Sequence, residues 1–118
     1  MKITPMTWGE VNDIVGTAKD KAELAVRDAR RTHQDFNPKL KTGFAYVIIK
    51  TVPLTPFVKG CIEHGVGHYD KKRRILIFSN PGGFSGRATR IYVAGAKAFA
   101  DVLGEHGIEY EIDYRRND

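Results

Sequence analysis

Two stretches of this 118-residue sequence combine residue types that suit phosphate chemistry. The first is Ser79-Asn80-Pro81-Gly82-Gly83-Phe84-Ser85-Gly86-Arg87-Ala88-Thr89-Arg90, placed between a predicted strand and a predicted helix. Gly82, Gly83 and Gly86 have no Cβ and let backbone N–H groups come close to an anion, while Ser85 and Thr89 add hydroxyl donors. Arg87 and Arg90 add charge and the forked geometry that grips two phosphate oxygens at once. The second stretch is Lys71-Lys72-Arg73-Arg74, beside Tyr69, whose ring can stack on a nucleobase. A further basic patch consists of Arg27, Arg30 and Arg31, with Lys39 and Lys41 after it and Arg115 and Arg116 in the tail. Each has a plainer reading: a flexible turn with a helix cap, a solvated turn that keeps a sheet edge from aggregating, and cations at the negative end of a helix dipole.

Other chemistry is less well provided for. Cys61, His64, His68 and Asp70 have a zinc-like C-x2-H-x3-H spacing, but Gly65 and Gly67 separate the histidines and no second ligand pair follows. Cys61 suits the apolar side of a short helix, so it is expected in the core and no metal is expected. His33, His64, His68 and His106 are the acid–base candidates, and His68 with Asp70 and Arg73 is the best local group for phosphodiester chemistry. No Ser-His-Asp set, H-E-x-x-H pair or dinucleotide fingerprint is present, and the glycine loop has arginine where a Walker A motif has lysine. No catalytic residue and no cofactor is assigned, and the chain reads more as a binding protein than as an enzyme.

The elements that must position these residues follow from periodicity and caps. Thr7-Trp8-Gly9-Glu10 has capping-box spacing, and Val11, Ile14, Val15, Ala18, Ala22, Ala25 and Ala29 then recur at helical intervals, predicting a helix over Thr7–His33. Phe44–Val52 reads as a strand with two apolar faces, expected to be central and covered on both sides, either by the N-terminal helix or by a second copy of the chain. Thr55-Pro56 opens a short helix that stops at Gly65. Val66–Tyr69 and Arg74–Ser79 read as strands joined by a tight turn. A helix over Ala88–His106 ends at Gly107. Ile108–Tyr114 alternates apolar and acidic residues, as a half-exposed edge strand does.

The order from Gly43 onward is βαββαβ, which predicts an α+β, ferredoxin-like sheet over residues 43–115 preceded by a long N-terminal helix. The RNA-recognition motif shares this order, and the resemblance is one of topology. The third strand, Arg74-Ile75-Leu76-Ile77-Phe78, has no glycine and one aromatic, and Glu109, Glu111 and Asp113 would repel a phosphate backbone, so sheet-face RNA binding is disfavoured.

At 118 residues, 42% hydrophobic and 28% charged, the chain fits one globular domain rather than a disordered or membrane protein. One cysteine excludes an internal disulfide and favours a reducing, cytoplasmic setting. A net charge of +5 favours acidic partners, either nucleic acid or an acidic protein surface. The expected function is that of a small basic binding protein that engages nucleic acid or another phosphate-rich ligand. The alternative is a non-catalytic protein-interaction or assembly protein, an inhibitor or a component of a homo-oligomer.

Overall fold

A computed structural model describes residues 3–32, 44–84 and 89–115. The first helix, α1 (Trp8–Thr32), starts where the capping box places it. Glu10 N–H donates to Thr7 Oγ1 at 3.2 Å and Thr7 N–H donates to Glu10 Oε1 at 3.0 Å, so two backbone donors that the helix cannot satisfy are paired reciprocally. The bond from Thr7 N–H, aided by the Thr7 side chain, holds the Glu10 carboxyl below the usual carboxylate range. One stripe of α1, from Val11 through Ile14, Val15, Ala18 and Ala22 to Val26, is buried. Each fully buried branched side chain there contributes about 1.5–3 kcal/mol.

Six elements follow: β1 (Phe44–Lys50), α2 (Pro56–His64), β2 (His68–Asp70), β3 (Ile75–Ser79), α3 (Thr89–Glu105) and β4 (Glu111–Arg115). α2 is delimited by local chemistry. Val58 N–H donates to Thr55 Oγ1, Pro56 occupies the first turn, and Gly65 closes the helix at φ 68°. α3 ends in a turn whose Gly107 has φ 72°.

The strands form one antiparallel sheet in the order β2-β3-β1-β4. The fold is thus α+β, a helix followed by a four-stranded antiparallel sheet with further helices between its strands. β1 is central, as its apolar content requires. Val47 pairs with Phe78 and Ile112, and Ile49 with Leu76, on the face that carries the core. The Phe78 ring packs on Phe99 of α3 at 5.0 Å, and Val15 of α1 belongs to the same buried cluster.

The second face of β1 departs from expectation. Ala45, Val47 and Ile49 are buried, but Phe44, Tyr46 and Ile48 on the opposite face remain partly exposed. α1 does not cover them. It packs against α3 and α2, and its buried stripe belongs to the same apolar cluster as the inner sheet face. Among the described residues, all three helices contribute to one side of the sheet. Element ends also differ from those predicted: β1 stops at Lys50, β2 is His68–Asp70 and β4 begins at Glu111.

No helix among the described residues is long and apolar enough to cross a membrane.

Candidate phosphate-binding groove

Arg27, Arg30 and Arg31 project from the last two turns of α1, all exposed. With Glu23 and Val26 of the same helix, and Gly82, Gly83 and Phe84 of the loop after β3, they line a shallow groove of about 550 Å³. Two features that are about 50 residues apart in the chain, the helix-end patch and the glycine loop, thus meet on one surface. The Arg30 guanidinium carbon lies 5.9 Å from the centre of the buried Phe84 ring, close enough for a cation–π contact that orients it. Arg31 pairs with Asp28 at 3.6 Å, with both side chains more than 70% exposed, an arrangement that contributes little and dissociates readily. Among the described residues neither Arg27 nor Arg30 has an ion-pair partner.

Gly82 and Gly83 each have a structural role in the loop. A Cβ on Gly82 would overlap Val26 Cγ2 and lie 3.2 Å from the Ala22 carbonyl oxygen, so Gly82 is required by the approach of α1 to the loop. Gly95 of α3 faces it, and a Cβ there would meet Val26 Cγ2 at 2.9 Å and Gly82 Cα at 3.2 Å. Gly83 has φ 69°, the left-handed region that glycine enters without strain, and its N–H donates to the Asn80 carbonyl at 3.0 Å. That donor is therefore committed within the turn. Asn80 Nδ2 donates to the Phe84 carbonyl at 2.7 Å, which closes the loop on itself. Among the described residues, the cationic groups that line this groove are the side chains of Arg27, Arg30 and Arg31.

Ser85, Gly86 and Arg87 lie outside the described residues. Arg90 is exposed on the first turn of α3 but does not line the groove.

The lysine–arginine turn is elsewhere. Lys71, Lys72, Arg73 and Arg74 connect β2 to the start of β3, whereas the glycine loop leaves its end. Five strand residues at about 3.3 Å each separate the two by roughly 16 Å, so they do not form one site. Asp70 organises the turn: its Oδ1 accepts from the Lys72 and Arg73 N–H groups, and Arg73 Nε donates to its Oδ2 at 2.7 Å. These bonds, led by the one from the Arg73 side chain, lower the Asp70 pKa. Arg74 holds φ 55°, a left-handed conformation set by the turn, and its carbonyl accepts from Thr51 N–H.

The zinc-like spacing does not assemble. Cys61 is fully buried in the core, His64 and His68 are exposed, and no group of three or more His, Cys, Asp or Glu among the described residues is placed to hold a metal. His68 and Asp70 share a face of β2, but the Asp70 carboxylate is engaged by the turn.

A second concavity, of about 540 Å³, opens where β1 and the segment before β4 diverge. Val52, Pro53, Phe57, Ile108 and Tyr110 give it a largely apolar lining, and none of the basic candidates reaches it.

Close packing around Gly82 and Gly95 is the site feature that sequence reading missed. The Gly82-Gly83 pair was visible, but its cause lies in Val26, which is distant in the chain. No family model, no curated protein and no solved structure matches this chain, so its residues and their geometry alone carry the functional reading.

Proposed function

We propose that this chain is a small basic binding protein that engages nucleic acid or another phosphate-rich ligand through the groove between the end of α1 and the loop after β3. The observation that supports this is the convergence of Arg27, Arg30 and Arg31 with Phe84 on one concave surface. The carbonyl end of α1 places a partial charge of about −0.5 nearby, and Glu23 adds a carboxylate. Arg31 is balanced by Asp28, but the charges of Arg27 and Arg30 together exceed what Glu23 and the helix end offset, and a bound polyanion releases its condensed counterions. Arginine forks suit phosphate oxygens, and Arg30 is already oriented by the ring beneath it. The ferredoxin-like arrangement is part of this reading, supported by β3 lying between β1 and β2.

The test is fluorescence anisotropy with labelled single-stranded and duplex oligonucleotides over a salt series from low ionic strength. Binding that weakens steeply with salt is expected, with Arg27→Ala and Arg30→Ala each reducing the log–log salt slope by about 0.7–0.9. The double variant Lys71→Ala/Lys72→Ala should leave the slope unchanged. Absence of binding at low salt, or binding insensitive to the arginine substitutions, would refute the proposal.

A second reading, as a protein-interaction or assembly component, is favoured by a separate observation: the partly exposed apolar face of the sheet.

A further inference from the structure

We infer that the cleft between the end of β1 and the segment before β4 is a docking site for an extended peptide, held there by strand addition. The strand register identifies a free edge. Thr51 N–H donates to the Arg74 carbonyl and Asn80 N–H to the Ala45 carbonyl, so the odd-numbered residues of β1 turn their backbone groups towards β3. Tyr46, Ile48 and Lys50 therefore turn theirs towards β4. Tyr46 meets Asp113 and Ile48 meets Glu111, and there the ladder stops. Lys50 is still part of β1, but Glu109, which would continue the register opposite it, lies outside β4. Among the described residues, neither the N–H nor the C=O of Lys50 has a hydrogen-bond partner.

This free edge opens into the concavity of about 540 Å³, and the combination selects the occupant. An N–H and a C=O side by side on one extended residue match the C=O and N–H of one residue in an antiparallel strand. A peptide residue paired with Lys50 sends its two neighbours to the other face of the strand, the face on which Ile49 is buried. Phe57 and Val58 of α2, with Ile108 and Tyr110, also line the cavity, so those neighbours are apolar. The paired residue itself shares a face with Lys50. Lys50 Nζ is held 3.6 Å from Glu111 Oε1, whereas Glu109, which lines the same opening, has no ion-pair partner among the described residues. One carboxylate is left over, and a cation on the ligand complements it. The partner is thus an extended segment that reads apolar, basic, apolar.

The cavity is of the size that encloses small ligands, roughly 300–1,000 Å³, so it takes a few residues of the partner and not a folded domain. Dissociation on the order of 0.1–1 mM is expected for so short a contact. This inference does not depend on the arginine groove, which lies on α1 and the loop after β3.

Amide NMR of the full chain tests it, with acetyl-Thr-Val-Lys-Val-Thr-amide as the probe. In the free chain the Lys50 amide should exchange with solvent at least ~10-fold faster than the paired amides of Ile48 and Thr51. Adding the peptide should shift Lys50 and residues 108–110 saturably and slow the exchange of Lys50. N-methylation of the peptide at its lysine removes the donor that the Lys50 carbonyl accepts, and should weaken binding by about 5-fold or more. Replacing that lysine by glutamate should also weaken it, as should Val52→Glu, which charges an exposed residue of the rim and leaves the core intact. Arg27→Ala/Arg30→Ala should bind the peptide normally, separating this result from that of the groove. A Lys50 amide as protected as that of Ile48 in the free chain, no saturable shift at Lys50, or equal binding of the N-methylated peptide would each overturn it.

Discussion

The Cys61 thiol is fully buried on α2, and burial pushes its pKa from 9.0 up to about 12. Taking a thiolate out of water is costly, so the folded protein keeps the proton that the unfolded chain releases near pH 9. Stability is unaffected below that pH and falls as pH rises from about 9 towards 12, because only the unfolded state gains from ionisation there. Urea unfolding at pH 8 and pH 11 should show the wild type losing roughly 2–3 kcal/mol more than Cys61→Ala over that interval. Equal losses would show that the thiol is reachable by water. The apolar setting was legible in the sequence, because Phe57, Val58, Cys61 and Ile62 recur at helical spacing. His64 was equally visible as a possible ligand, but it is on the exposed side of the same helix. At this scale the decisive quantity is which way a side chain points, and the periodicity of α2 supplied it.

At the scale of elements, what was readable depended on how far each cause lay along the chain. The caps of α1 and α2 were readable because Thr7 with Glu10, and Thr55 with Pro56, act within one turn. Where β4 begins was not. Ile108 and Tyr110 continue the alternation, yet the strand starts at Glu111, opposite Ile48, while Ile49 and Lys50 of β1 pair with Leu76 and Ile75 of β3 alone. Alternation reports which face is buried, not whether a partner strand is present. The junction of α1, α3 and the loop after β3 is more remote still: Val26 fits only because residues 82 and 95 are both glycine. Gly82→Ala should destabilise the protein by about 1–3 kcal/mol in denaturant unfolding, as overpacking does. Adding Val26→Ala should recover part of that loss, giving a coupling energy of about 0.5 kcal/mol or more in a double-mutant cycle. Strict additivity would mean that the Cβ at position 82 does not press on Val26.

For the whole molecule, the placement of α1 decides both the core and the surface. Its alanine-rich stripe and the two apolar faces of β1 are compatible with a helix on either side of the sheet, so sequence patterning left that choice open. The separation of the two basic loops, by contrast, could have been computed beforehand. A five-residue strand between them puts them at opposite ends of the sheet whatever the fold. By packing on the same side as α3, α1 leaves Tyr46, Ile48, Ile75 and Ile77 partly exposed and brings Arg27, Arg30 and Arg31 to the glycine loop. It also makes α1 part of the core rather than an appendage. Val11, Ile14, Val15, Ala18, Ala22 and Val26 are buried against residues of α3 and the inner sheet face, including Phe99 and Phe78. Removing residues 1–32 would uncover that surface in a remainder of only 86 residues, a size at which the lost burial exceeds the usual net stability of 5–15 kcal/mol. The truncated chain should show no cooperative thermal transition and collapsed amide dispersion in its NMR spectrum. Adding a peptide of residues 1–32 in excess should restore both, since binding to the folded form alone shifts the equilibrium by mass action. Cooperative unfolding of the truncated chain by itself would mean that the sheet and α3 form their own core and that α1 only rests upon it.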